Sequence, residues 1–205
     1  MTNNPGKIVV LASGRGTNLQ ALIDASKEKY FNGYISLVIS DNPKAYALKR
    51  AETAGIPTVV LDYSLFPSKK EYEGKLLSVL KEENPDLICL AGYMRILGKE
   101  IIRNFPNKII NIHPSLLPAF PGLEAQKQAV EYGVKVSGCT VHFVDEGMDT
   151  GPIILQECCP VEDHDTPESL AERILQHEHR IYKEAVKLFL EEKLEIKGRK
   201  VIQKR

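Results

Sequence analysis

No stretch of this chain approaches the roughly 20 consecutive apolar residues that a membrane-spanning helix needs, so no membrane partner is expected. An excess of one charge is missing too. Lysine plus arginine and aspartate plus glutamate both number 27, for a formal net charge of zero. Such a chain has no general attraction for nucleic acid or anionic membrane, and any anion site has to be local. Cysteine is scarce: Cys89, Cys139, Cys158 and Cys159 are the only four, and none makes a Cys-x-x-Cys pair. That spacing argues against zinc. All four fall in apolar, strand-like runs, where buried, reduced thiols of a cytoplasmic protein are expected, with adjacent Cys158 and Cys159 facing opposite ways. There is no Gly-x-Ser-x-Gly elbow, no His-x-x-x-His metal pair, no internal repeat and no interdomain linker. The polar start Thr2-Asn3-Asn4-Pro5 reads as a short frayed end, not as a signal peptide.

What is present is alternation. With 205 residues, 43% hydrophobic and 26% charged, one α/β domain is the natural reading. Strand-like runs at 8–12, 35–40, 58–61, 86–91 and 109–112 are separated by helical patterns at 19–29, 45–54, 69–83 and 99–104. This order predicts a mostly parallel sheet with helices on both faces. After a proline-bearing loop over 115–123 the pattern changes. Residues 136–144 alternate as an antiparallel or partly exposed strand does, and 153–161 completes the sheet. Thr166-Pro167-Glu168 opens a last helix with a capping hydroxyl, a first-position proline and an early acid. The segment 193–203 reads as a terminal hairpin.

The most informative stretch is Ile109-Ile110-Asn111-Ile112-His113-Pro114. Residues two apart on a strand share a face, and Pro114 cannot donate to a ladder, so the strand should stop beside the histidine. An amide and an imidazole are thereby presented together at a strand exit, where open α/β sheets bind ligands. Downstream, Asp145-Glu146-Gly147-Met148-Asp149-Thr150-Gly151-Pro152 reads either as a solvated turn or as a carboxylate aimed at that histidine. In the second reading an amide N–H stabilises an oxyanion, the imidazole moves protons, and Asp149 favours its charged form. Ser13-Gly14-Arg15-Gly16-Thr17-Asn18 joins the first strand to the first helix. Thr17 and Asn18 can cap that helix, and the segment reads either as a plain tight turn or as an anion site at the helix N-terminus. A third glycine is missing, Leu19 standing in its place, so one phosphate fits better than a dinucleotide. Gly92-Tyr93-Met94-Arg95-Ile96-Leu97 follows the fourth strand. Gly92 lets a ligand approach, and Met94, Ile96 and Leu97 read either as an apolar wall or as inward packing. Glu178 interrupts the apolar stripe Leu170, Ile174, Ile181, Ala185, Leu188. A carboxylate there reads either as curling to solvent or as holding a ligand.

Taken together, Ser13-Gly14-x-Gly16-Thr17-Asn18-Leu19, Ala91-Gly92-Tyr93-Met94-Arg95, Asn111-Ile112-His113-Pro114-Ser115-Leu116-Leu117-Pro118 and Asp149-Thr150-Gly151-Pro152 resemble the phosphoribosylglycinamide formyltransferases (GAR transformylases) of the folate-dependent formyltransferase family. The resemblance implies a single-domain, Rossmann-like α/β fold. A phosphate-binding half would cover about 1–105 and a folate and catalytic half about 106–190. It implies 10-formyltetrahydrofolate as co-substrate, glycinamide ribonucleotide as acceptor, no metal, no nucleic-acid partner, and leaves a homodimer open. Asn111, His113 and Asp149 become the catalytic trio. Gly14, Arg15, Gly16, Thr17, Asn18, Gly92, Met94, Gln176 and Glu178 would hold the ribonucleotide. Lys69, Met94, Arg95, Ile96, Leu97, Asn111, Asp145, Gly147 and Asp149 would hold the folate. Lys69 stands where a similar enzyme has arginine, and lysine lacks the bidentate fork. Leu175 and Gln176 do not align cleanly with the family's polar phosphate contact near Glu178. A hydrolase of the same folate would typically carry a regulatory domain, and a tRNA formyltransferase an RNA-binding one.

Overall fold

Ile8, Val9, Val10 and Leu11 have no exposed surface, and the strand they form, β1 (Gly6–Leu11), has a parallel neighbour on each side. A strand covered on both faces has to be continuously apolar. The computed structural model describes residues 4–204, so Thr2 and Asn3 of the polar start lie outside the described residues. One nine-stranded sheet runs through the chain in the order β3-β2-β1-β4-β5-β6-β7-β9-β8. Its strands are β1, β2 (Gly33–Ser40), β3 (Thr58–Val60), β4 (Leu87–Leu90), β5 (Ile109–His113), β6 (Val136–Phe143), β7 (Ile153–Pro160), β8 (Leu194–Lys197) and β9 (Lys200–Gln203). The pairs β1–β2, β1–β4, β2–β3 and β7–β9 are parallel, whereas β6–β7 and β8–β9 are antiparallel. The chain divides into two compact units, one ending at Ile110 and the other starting at Asn111.

In the first unit the helices are α1 (Thr17–Lys27), α2 (Tyr46–Thr53), α3 (Lys69–Glu83) and α4 (Lys99–Asn104). α3 starts as its sequence predicts, with the Ser68 hydroxyl accepting the Glu71 amide at 3.2 Å, and buries Tyr72, Leu76, Leu77 and Leu80. α1 begins two residues earlier than expected. Gly16 takes the N-cap position with φ +69° and no side-chain cap, so Thr17 and Asn18 lie inside the first turn instead of capping it.

The second unit holds two corrections. A helix, α5 (Ala125–Tyr132), follows the proline-bearing loop where no element was expected. The sheet also does not end at β7, because the terminal hairpin joins it through Ile153 opposite Lys200. α6 (Pro167–Leu190) has the anticipated start, a reciprocal capping box between Thr166 and Ser169. Cys159 is buried and Cys158 is exposed. The opposite-face reading holds, but burial of all four thiols does not.

The loop from Ser115 to Phe120 is bound onto β6. The buried Thr140 hydroxyl donates to the Ser115 carbonyl at 2.7 Å and accepts from the Leu117 amide at 3.0 Å. Gln156 Nε2 donates to the Leu117 carbonyl at 2.9 Å. Thr140→Val leaves a buried amide without its acceptor, which costs about 1–3 kcal/mol. The urea midpoint should fall accordingly, while Thr140→Ser keeps most of the stability. An unchanged midpoint in the valine variant would show that this hydroxyl does not anchor the loop.

Candidate active site

The glycine loop after β1 is shaped from behind by α2. The Ala47 amide donates to the Gly14 carbonyl at 3.0 Å, and Arg50 Nε donates to the Arg15 carbonyl at 2.9 Å. With both carbonyls drawn to α2, the loop enters α1 through the left-handed Gly16. A Cβ there would lie 2.7 Å from Ala47, so no other residue fits. The first amides of an α-helix have no intrahelical partner, and Gly16 brings no side chain to cap them. This is the arrangement that receives anions. Arg15 is exposed and Asn18 buried beside it.

The loop after β4 is tied to the same segment. Ser13 N donates to the Gly92 carbonyl at 3.1 Å, and Met94 N donates to Ser13 Oγ at 2.9 Å. Met94 and Ile96 are exposed by 63% and 57%, but Leu97 is buried. The expected apolar wall is therefore two side chains, not three. Arg95 reaches back to Asp41 with its side chain 37% exposed: its Nε donates to Asp41 Oδ2 at 2.6 Å and its guanidinium lies 3.4 Å from the Tyr63 ring centroid. Lys69 is exposed at the start of α3, 3.4 Å from Glu73.

In the second unit, β5 ends at His113 as Pro114 requires. His113 is buried, and its Nε2 lies 2.9 Å from the Phe120 carbonyl. A carbonyl only accepts, so Nε2 carries a proton. The other nitrogen, Nδ1, faces Asp149 Oδ2 at 3.5 Å, an ion-pair distance longer than a hydrogen bond. Asp149 Oδ2 also accepts the Gly122 amide at 2.8 Å.

His142 completes the cluster. Its Nδ1 donates to the Phe143 carbonyl at 2.8 Å, which leaves Nε2 as the acceptor for Asn111 Nδ2 at 3.3 Å. Asp149 Oδ1 lies 3.7 Å from that same Nε2. Burial lowers the His142 pKa, against the pull of the Phe143 carbonyl and Asp149. The ring is thus a neutral acceptor that fixes which way the Asn111 amide points. The sequence shows His142 only as a strand side chain. The strand register that aims it skips Ile154 between Val141 and His142, and such bulges re-aim side chains beside active sites.

The formyl transferase family model covers residues 6–186. The chain belongs to the formyl transferase family. It is 44% identical over 184 residues to a phosphoribosylglycinamide formyltransferase of Bacillus subtilis, covering 90% of this chain and 94% of that protein. It is 47% identical over 182 residues to a human trifunctional purine biosynthetic protein, adenosine-3, covering 89% of this chain. The chain spans less than a fifth of the length of the trifunctional relatives it matches, 18% of the human one. The structure of glycinamide ribonucleotide transformylase 1 from Symbiobacterium toebii superposes with a TM-score of 0.96 at 52% identity, over 98% of this chain and 95% of that one.

The remaining residues that the family resemblance assigned are distributed as follows. Asp145 Oδ1 accepts the Gly147 amide at 3.1 Å and the Thr150 hydroxyl at 2.6 Å. Its carboxylate therefore builds the turn that holds Asp149 at φ +53°, a left-handed conformation that aspartate tolerates better than most residues. Both readings of this acidic segment are realised, one carboxylate making the turn and another facing the histidines. Glu178 is 7% exposed, so it does not curl to solvent. Its charge reaches Cys139, whose thiol is pushed up first by burial and then by Glu178. Gln176, on the same helix, is exposed. Among the described residues no group of three or more His, Cys, Asp or Glu side chains is arranged to hold a metal, and no helix is long and apolar enough to cross a membrane.

The depressed pKa of His142 gives a pH signature. Because the unfolded histidine binds its proton more readily, stability is complete above the ordinary histidine value and declines as pH falls through it towards the folded value. His142→Gln cannot titrate but keeps a donor and an acceptor. It should flatten that part of the pH–stability curve and lose less turnover than His142→Phe, which cannot accept from Asn111. Equal activity of the two variants would remove the orienting role.

Proposed function

We propose that the protein transfers the formyl group of 10-formyltetrahydrofolate to the amine of glycinamide ribonucleotide, giving N-formylglycinamide ribonucleotide and tetrahydrofolate in de novo purine synthesis. The observation that carries this reading is the Asp149 carboxylate lying between His113 and His142 while Asn111 is oriented by the latter. The substrate amine attacks the formyl carbon, a C–N bond forms, and the bond to folate N10 breaks. Charge developing on the formyl oxygen is met by the Asn111 amide and the protonated His113, donors fixed before the reaction begins. At 3.5 Å from Asp149, a proton on His113 Nδ1 is held by charge without being committed to a short hydrogen bond. Asp149 takes the amine's proton through water, and folate N10 gains a proton from water as its bond to the formyl carbon breaks.

The amides around Gly16, Thr17 and Asn18 hold the substrate phosphate, and Glu178 its ribose or glycinamide end. An anchored phosphate converts an encounter into an oriented attack. Met94 and Ile96 offer apolar surface to the pteridine, together with the backbone around Arg95 and the 145–149 turn. Lys69 serves as a point charge near the folate. In this reading the phosphate-binding half is about 1–105 and the folate and catalytic half about 106–190, and the protein works in the cytoplasm.

Incubation with 10-formyltetrahydrofolate, with and without glycinamide ribonucleotide, tests the assignment. Deformylated folate should accumulate only when the ribonucleotide is present. Equal accumulation without it would mean hydrolysis and overturn the reading. Asn111→Ala and His113→Ala should each lower turnover by about a hundredfold or more, the scale of losing an oxyanion donor or a proton-transfer group, with folding retained by circular dichroism. Near-normal turnover in either variant would contradict these two roles.

A further inference from the structure

Two large apolar side chains stand exposed on one short loop, Met94 at 63% and Ile96 at 57%. Left to itself such a loop would turn them inward. The residue between them prevents this. Arg95 is drawn the other way, its Nε on Asp41 Oδ2 at 2.6 Å and its guanidinium over Tyr63. Asp41, just beyond the end of β2, is buried, its side chain only 4% exposed. Its second oxygen, Oδ1, is also buried and has no hydrogen-bond partner. The ion pair with Arg95 is therefore the compensation that this carboxylate has for losing water. Withdrawing Arg95 would strand a buried charge, which is far costlier than breaking an exposed pair.

From this geometry we infer that Asp41 is a positioning residue for the folate: by locking Arg95 back against itself it holds Met94 and Ile96 outward as a flat apolar platform for the pteridine. The inference rests on the formyl-transfer reading and gives the reason that Arg95 enters it through its backbone. The Arg95 side chain is committed to Asp41 and Tyr63, so its contribution to the folate is through the backbone. The lock is made entirely within 41–95 and includes none of Asn111, His113 and Asp149, so it acts on binding, chiefly of the folate, and not on the chemical step. Ser13 pins the start of the same loop through Gly92 and Met94, so the lock governs its centre.

Steady-state kinetics and amide hydrogen exchange on Asp41→Leu and Asp41→Asn test this. Asp41→Leu should raise KM for 10-formyltetrahydrofolate about tenfold and the ribonucleotide KM, to which only Met94 of the two side chains contributes, by no more than about threefold, while kcat stays within about twofold. Exchange at 94–97 should quicken at least tenfold, with the β1 amides unchanged. Asp41→Asn retains an oxygen to accept from Arg95 and should restore most of the folate affinity. If Asp41→Leu does not fold, Tyr63→Leu, which loosens Arg95 without burying a charge, should show the same pattern more weakly. Equal rises in both KM values, or faster exchange throughout the first unit, would mean a general structural role and overturn the proposal, as would an unchanged folate KM. Should the unmodified protein fail to use the folate at all, the formyl-transfer reading fails, while exchange at 94–97 still decides whether Asp41 holds the loop.

Discussion

The side chains proposed to act in the second unit are arranged around the carboxylate of Asp149. Its oxygens reach two histidines that play opposite parts, His113 at 3.5 Å and His142 at 3.7 Å. A carboxylate in such a place has to be held against its own tendency to seek water. The left-handed turn built by Asp145 sets its direction, and the Gly122 amide occupies Oδ2 at 2.8 Å. Gly151 makes this turn feasible, because a Cβ there would come within 1.7 Å of the Phe143 carbonyl. That carbonyl in turn sets the tautomer of His142. One tight crossing thus fixes both a carboxylate and the ring that orients Asn111.

Backbone carbonyls are the common device in both units. Phe120 and Phe143 each take the proton of one imidazole nitrogen and so leave the other nitrogen facing the site. Gly14 and Arg15 give their carbonyls to α2, which lets the amide end of α1 face outward. In each case the group proposed to act on a ligand is oriented by a partner that does not, the arrangement that lowers reorganisation during reaction. The bound state of loop 115–120 belongs to the same scheme. Phe120 serves His113 only because Ser115 and Thr140 hold that loop in place.

Local signals made much of this legible in the sequence. Continuous apolar runs marked the buried strands, Pro114 marked the end of β5, and the Thr166-Pro167 start marked the last helix. Asn111, His113 and Asp149 stand out as candidates in the sequence because a strand exit, a proline and a glycine-rich turn are all short-range features. Glu178 was visible as a break in an apolar stripe. What escaped depends on residues distant in the chain. His142 is an ordinary strand residue until the register with β7 skips Ile154. The engagement of Arg95 is hidden in the sequence because its partner Asp41 stands 54 positions earlier. α5 was missed because it is only 8 residues long and starts from a left-handed Glu124 with no side-chain cap, so none of the usual start signals marks it.

The proposed mechanism depends on Asp149 acting by charge on oriented partners. Asp149→Asn is nearly isosteric and keeps an oxygen for the Gly122 amide, so it isolates that charge. Single-turnover formyl transfer under saturating substrates, with each substrate's affinity measured separately by calorimetry, should show a loss of about a hundredfold or more in the transfer step and near-normal binding of glycinamide ribonucleotide. A variant that transfers formyl at close to the original rate would contradict the central role of this carboxylate.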